Sequence, residues 1–261
     1  MVVHSFGPHD VPDQKKVTMT GSEAEKERRH RLEHLAGACR VLARLGMGEG
    51  ILGHITVRDP EDPDLLWLNP MGVAFSRVRV SDLVQVNHQG EILQGSHPVN
   101  QVGVRLHSAV HEARPEVMAV CHMHTQFGKA WSSLGRLLDP ISQDACLFYS
   151  HQALIREPRL ANTPDDAARF AAAFGEHRVG IQVGHGLFST GHTVDEATWW
   201  FISMERACEV QLLAEAAGNP EQWPDQIARG LAAGLGSPGF GHASFQPFWD
   251  EISESDPDLF D

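Results

Sequence analysis

Val117-Met118-Ala119-Val120-Cys121-His122-Met123-His124-Thr125 is the stretch on which the reading of this chain turns. An unbroken apolar run leads into two histidines one residue apart, the profile of a buried strand that ends in polar side chains. Alternate side chains of a strand share a face, so His122 and His124 are expected to point the same way, close enough to grip one ion. Neutral imidazole is a common ligand for zinc and iron. Two strand-end histidines hydrogen-bonded to solvent or backbone would show the same pattern, so the pair needs a third group.

Outward from this strand, helical and extended signals alternate. Toward the N-terminus, Ser22-Glu23-Ala24-Glu25 reads as a capping box ahead of Leu32, Leu35, Cys39, Leu42 and Leu45, which recur at helical spacing until Gly46. Ile51–Arg58 and Leu65–Leu68 read as strands, and Leu83–Asn87 with Glu91–Leu93 as a hairpin around His88-Gln89-Gly90. Val102, Leu106 and Val110 mark a helix from about Asn100 to Ala113, stopped by Pro115. Toward the C-terminus, a helix is expected over Thr125–Leu134. Another opens at Thr163-Pro164-Asp165-Asp166, with a cap, a first-turn proline and acids at the positive dipole end. Val179–Val183 is a short strand, and Thr193-Val194-Asp195-Glu196 caps a long helix reaching about Ala217.

This alternation predicts one α/β sandwich domain. Residues 1–20 read as a flexible N-terminal arm, 21–217 as the domain, and 218–261 as an extension packed on the domain or on a neighbouring subunit. The tail from Trp249 on carries six acids and no base, which suggests a solvated segment or one packed on a neighbour.

His185 is the best third ligand. It lies between two glycines directly after a short apolar strand, where a tight turn would present its ring at the sheet edge. Three histidines with an open position form a catalytic rather than a structural coordination pattern. His107 and His111, an i,i+4 pair, are the rival; HExxH zinc enzymes use that spacing, but the glutamate is missing, and a supporting role fits better.

The net charge of −13 argues against a nucleic-acid partner. No apolar run reaches the length of a bilayer span, and residues 1–20 lack a secretory h-region, so a cytoplasmic protein without a membrane partner is expected. Cys39, Cys121, Cys146 and Cys208 are scattered in apolar contexts and read as buried free thiols.

Taken together, several segments resemble the class II aldolase/adducin superfamily. They are Gly53-His54-Ile55-Thr56, Asn69-Pro70-Met71-Gly72 with Phe75-Ser76, Ser81-Asp82-Leu83-Val84, Arg114-Pro115-Glu116-Val117, the histidine strand, Gly184-His185-Gly186-Leu187 and the helix Glu196–Gln211. The likeness covers about residues 25–215. It implies an α/β/α domain with a mixed central sheet flanked by helices, a homotetramer, and one divalent ion per subunit, zinc or iron with manganese or cobalt as further options, held by His122, His124 and His185.

The chain departs from the sugar-phosphate aldolases of that family at informative places. The acid/base glutamate expected four residues before His107 is replaced by Gly103. Asn100-Gln101-Val102, Leu52-Gly53-His54 and Met71 replace residues that help bind phosphate. The resemblance therefore implies a substrate that is not a phosphorylated sugar. With the glutamate gone, Tyr149 and His151 are the expected proton-transfer residues, in a segment that the family places near the site. His54, Asn100, Gln101, Arg105 and Gln143 are expected to contact substrate, Arg105 through a carboxylate.

The residues then support three readings. The first is a metal-dependent lyase, a decarboxylase or aldolase, acting on an unphosphorylated 2-keto or 2-hydroxy acid. The second is a mononuclear non-haem Fe(II) oxygenase with three histidine ligands that oxidatively decarboxylates an aryl-pyruvate or mandelate-like acid. Phe148, Tyr149 and the segment from Phe245 to Trp249 are possible walls for the aromatic ring. The third is a non-catalytic adducin-like scaffold.

Overall fold

The alternation of apolar runs and capped helices resolves, in the computed structural model, into one eight-stranded sheet with helices on both faces. The structure describes residues 19–158 and 160–261, so most of the expected N-terminal arm lies outside the described residues. The chain runs α1 (Ser22–Arg44), β1 (His54–Arg58), β2 (Leu65–Leu68), β3 (Val84–Asn87), β4 (Ile92–Gln94), α2 (Gln101–Ala113), β5 (Ala119–Met123), α3 (Gln126–Leu134), α4 (Gln143–Cys146) and β6 (Gln152–Ile155). It continues as α5 (Pro164–Phe174), β7 (Val179–Gln182), β8 (Gly186–Gly191), α6 (Val194–Ala217), α7 (Asp225–Leu235) and α8 (Pro238–Ser255). The strand order is β4-β3-β2-β1-β5-β8-β7-β6. Among the described residues only β6 and β7 pair in parallel, which makes the sheet mixed.

Strand β5 lies near the middle and divides two cores. Ala119, Cys121 and Met123 face the larger one with Leu35, Leu42, Phe201 and Met204 of α1 and α6. Val120 faces the other, where Leu106 and Val110 of α2 meet Phe170 and Phe174 of α5 and Phe188 of β8. His122 points the same way as Val120 and stacks on Phe188, ring centroids 3.9 Å apart. The sheet therefore places the histidines under α2 rather than under α1.

Several local expectations change. Ser22 does not cap α1: Gly21 holds the cap position without a side-chain bond, and Glu25 N donates to the Gly21 carbonyl. The strand expected from Ile51 starts only at His54, because Glu49 and Leu52 first close a turn. Strands β6 and β8 carry no alternating pattern, since both faces of the sheet are covered there. Thr163 and Thr193 cap α5 and α6 as their spacing predicts.

The acidic tail packs on its own chain along its apolar side, while most of its acids face outward. Helix α8 packs along α6 and α1, with Phe245, Ile252 and Leu259 in the main core. Buried Arg40 donates to both oxygens of Asp258 at 2.8 and 3.0 Å, and Arg44 to Asp256 at 2.8 Å. Three of the six acids, Glu251, Asp256 and Asp258, pair with arginines of α1, which charge counting along the tail does not reveal. All four cysteines are free and buried. No helix among the described residues is long and apolar enough to cross a membrane.

Candidate metal centre

Register and one hairpin assemble the centre. Strands β1 and β5 are antiparallel with His54 opposite His122, so both side chains fall on the α2 face. Strands β7 and β8 are joined by residues 183–185, with Gln182 opposite Gly186. Gly184 sits at φ +71°, a conformation that glycine adopts without strain, and this turns His185 back over the end of β5. His124 follows the end of β5, where the chain enters α3. Glu205 of α6 holds that entry, accepting from Thr125 Oγ1 and from the backbone N–H groups of Phe127 and Gly128 at 2.9 and 2.7 Å.

His122, His124 and His185 converge: one ring nitrogen of each lies within 4.8 Å of the others. The Nε2 atoms of His124 and His185 are 3.0 Å apart. Nitrogen donors about 2.0–2.1 Å from a shared ion would be about 3 Å from each other, so this spacing fits one ion. His122 Nδ1 donates to the Leu187 carbonyl at 2.8 Å, which leaves its Nε2 lone pair free. Burial, reinforced by the neighbouring imidazoles, holds His122 well below the usual histidine range. Burial and then the Lys129 ammonium also lower His124. Neutral, oriented imidazoles are the donor set a divalent ion requires.

His54 lies against this centre, its ring 5.0 Å from that of His122, and it is only 4 % exposed. A Cβ on Gly103 would come within 2.2 Å of His54 Nε2. The imidazole thus fills the space into which a side chain at position 103 would grow. Burial and then the adjacent His107 hold His54 well below the usual range. Behind it, His54 Nδ1 meets His107 Nε2 at 2.9 Å, His107 Nδ1 meets Thr56 Oγ1 at 2.9 Å, and Thr56 Oγ1 meets His111 Nε2 at 3.0 Å. The far side is completed by Lys129, which pairs with Glu49 at 2.7 Å.

The other expected site residues are placed elsewhere. Strands β6 and β7 run in parallel, so the start of β6 lies at the end of the sheet away from His185. Tyr149 and His151 precede β6 and therefore sit apart from the three histidines within the chain. Tyr149 donates its hydroxyl to Asp225 of α7 at 2.7 Å. His151 lines a cavity with Arg114, Arg178 and His192 at that opposite end. Gln143 is exposed on α4, which packs on α6 and α7.

On α2, helical spacing separates Gln101 and Arg105 from Gly103 and His107 by roughly half a turn. Gln101 donates to the Gly90 carbonyl, and Arg105 to the Ala161 carbonyl at 2.9 Å. Both line a groove of about 700 Å³ between α2 and α5, not the histidine centre. Asn100 caps α2 by accepting from Val102 N and Gly103 N, both at 3.1 Å, and so fixes the turn that faces His54.

Sequence reasoning did not reach Thr56, Glu205 or the Lys129–Glu49 pair as parts of the site. The alternation His54-Ile55-Thr56 was the available signal for Thr56. Glu205 is brought in from α6 and had none.

Residues 33–212 match the family model described as Class II Aldolase and Adducin N-terminal domain. The chain is 40% identical over 227 residues to "Decarboxylase NovR" of Streptomyces niveus, covering 86% of this chain and 84% of that protein. It is equally 40% identical over 227 residues to the "4-hydroxy-3-prenylphenylpyruvate oxygenase/4-hydroxy-3-prenylbenzoate synthase" of Streptomyces roseochromogenus subsp. oscitans, covering 86% and 82%. Among solved structures, the "L-fuculose 1-phosphate aldolase" of Glaciozyma antarctica PI12 superposes with a TM-score of 0.86 at 36% identity, covering 94% of this chain and 97% of that one.

Proposed function

Because the chain belongs to the class II aldolase/adducin family, we propose that it is a metal-dependent enzyme that breaks the carbon–carbon bond beside the carbonyl of an unphosphorylated 2-keto or 2-hydroxy acid, most simply by decarboxylation. The observation that carries this reading is the pairing of three convergent histidines with an imidazole, His54, in the space of the missing glutamate.

A divalent ion held by His122, His124 and His185 would supply Lewis acidity toward the carbonyl or hydroxyl oxygen of the acid and toward the charge left as the bond breaks. The chain's own contribution is positional. Burial keeps His122 and His124 unprotonated, the Leu187 carbonyl orients His122, and Glu205 holds the backbone that carries His124. His54 Nε2 is the atom placed to accept a proton from a substrate hydroxyl or a water. Decarboxylation generates its carbanion without a base, so it makes lighter demands on this imidazole than enolisation would. Assembly as a homotetramer and a cytoplasmic location belong to the same proposal. Exposed Ile51 and Leu52, on the turn before His54, are apolar surface that a second copy would cover.

A second reading, oxidative decarboxylation of an aryl-pyruvate on ferrous iron, is favoured by the 40% identity to the protein named as such an oxygenase. One experiment separates the readings. Protein purified without added metal is analysed for zinc, iron and manganese, then incubated with phenylpyruvate, 4-hydroxyphenylpyruvate and mandelate with and without dioxygen. Carbon dioxide or aldehyde released without oxygen consumption supports the lyase. Bound iron with substrate-linked oxygen uptake replaces it by the oxygenase. Protein that folds and takes up no metal sinks both and leaves the scaffold.

A further inference from the structure

We propose that Thr56 is a positioning residue: through His107 it locks His54 in the tautomer whose Nε2 is an unprotonated acceptor beside the histidine centre. The proposal rests on the functional reading above only for its effect on turnover, since the tautomer itself follows from hydrogen-bond direction.

The direction is set at one end of a line of five groups. His111 Nδ1 lies 3.1 Å from the Val117 carbonyl oxygen. A carbonyl oxygen only accepts, so this nitrogen carries the hydrogen. His111 is fully buried, and burial keeps it neutral, so its Nε2 is a lone pair. That lone pair is 3.0 Å from Thr56 Oγ1, and the threonine hydroxyl must donate to it. With its hydrogen so directed, Thr56 Oγ1 accepts from His107 Nδ1 at 2.9 Å. His107, fully buried and likewise kept neutral by burial, then presents a lone pair at Nε2. His54 Nδ1 donates to it at 2.9 Å. What remains on a neutral His54 is an unprotonated Nε2, the atom that fills the space above Gly103.

Each link has one allowed polarity, so the Val117 carbonyl determines the tautomer of a ring four bonds away. Thr56 is the element without which the line loses its polarity. Both imidazoles flanking it can exchange Nδ1–H for Nε2–H, whereas the hydroxyl must donate one way and accept the other. It is also the replaceable one, because valine keeps its shape and removes only the hydroxyl.

The test uses the full-length protein, ¹⁵N-labelled at histidine and loaded with zinc, with long-range ¹H–¹⁵N correlation to read the tautomers; the H54Q spectrum assigns His54. In the wild type His54 is expected as the Nδ1–H form. T56V is expected to mix or invert the His54 tautomer, T56S to retain it, and both to keep full metal content. On an acid turned over in the assay above, T56V lowers kcat roughly tenfold or more with KM nearly unchanged, and T56S restores most of it. A wild-type His54 carrying its proton on Nε2, or a T56V His54 with an unaltered tautomer, overturns the proposal. The wild-type spectrum decides the first point even if T56V does not fold. A tautomer that responds as expected in a protein that turns over none of the acids upholds the line and sinks the decarboxylase reading instead.

Discussion

At the scale of single residues, Gly103 and His54 are one feature. The ring is buried and tied to His107, so it has little room to yield to a Cβ placed 2.2 Å from Nε2. Gly103→Ala is therefore expected to displace His54, lowering kcat at least tenfold while metal content stays full. In a double-mutant cycle, Gly103→Ala should add little to His54→Ala, because the ring it pushes against is already gone; full additivity in steady-state kinetics would refute the coupling. The convergence of His122, His124 and His185 was legible in the sequence because period-two alternation and a glycine-flanked turn are local patterns. The partner of Gly103 was not, since it depends on the register of β1 against β5 and on how α2 crosses them. Gln101 and Arg105 lie away from the centre for a reason that is itself local: they share the helix with Gly103 but occupy its other face.

At the scale of elements, the entry into α3 decides how firmly His124 is held. Glu205 takes the place of a side-chain cap, which Thr125 does not supply, and satisfies two N–H groups of the first turn. Burial outweighs those hydrogen bonds and raises its pKa above the usual carboxylate value. Glu205→Ala is expected to loosen His124 and weaken zinc binding about 10- to 100-fold in a chelator competition, the range seen when a ligand loses its support. Glu205→Gln keeps one acceptor and should fall between. An alanine variant with unchanged zinc affinity would show that β5 alone orients His124. Elements announced by their own caps, such as α5 and α6, could be read directly. Strands β6 and β8 could not, because strands covered on both faces lose the alternation that marks them.

At the scale of the whole molecule, buried polar ties join the layers. Asp59, at the end of β1, accepts from Arg28 of α1 at 2.7 and 3.0 Å, from Trp67 Nε1 of β2 at 2.8 Å and from Gln85 of β3 at 3.2 Å. Burial pushes its pKa up, but the bonds from Arg28, Trp67 and the following backbone outweigh burial and bring it down to about 2. The folded value lies below the unfolded one, so this stabilisation is complete above about pH 4 and is lost as pH falls toward 2. Chemical denaturation across that window should show wild type losing on the order of 2 kcal/mol relative to Asp59→Asn; parallel acid limbs for the two proteins would contradict it. The three-layer architecture was legible from alternation, but the place of α8 was not, because its partners lie at the opposite end of the sequence. His34 of α1 stacks on Trp249 of α8 at 3.8 Å, and Arg40 waits for Asp256 and Asp258. On the ribosome, at ~5–20 residues per second, roughly ten to forty seconds separate the synthesis of α1 from that of α8. Through that interval the nascent chain carries the part of α1 that α8 covers without that cover, so the docking of α8 on α1 is a late step of folding.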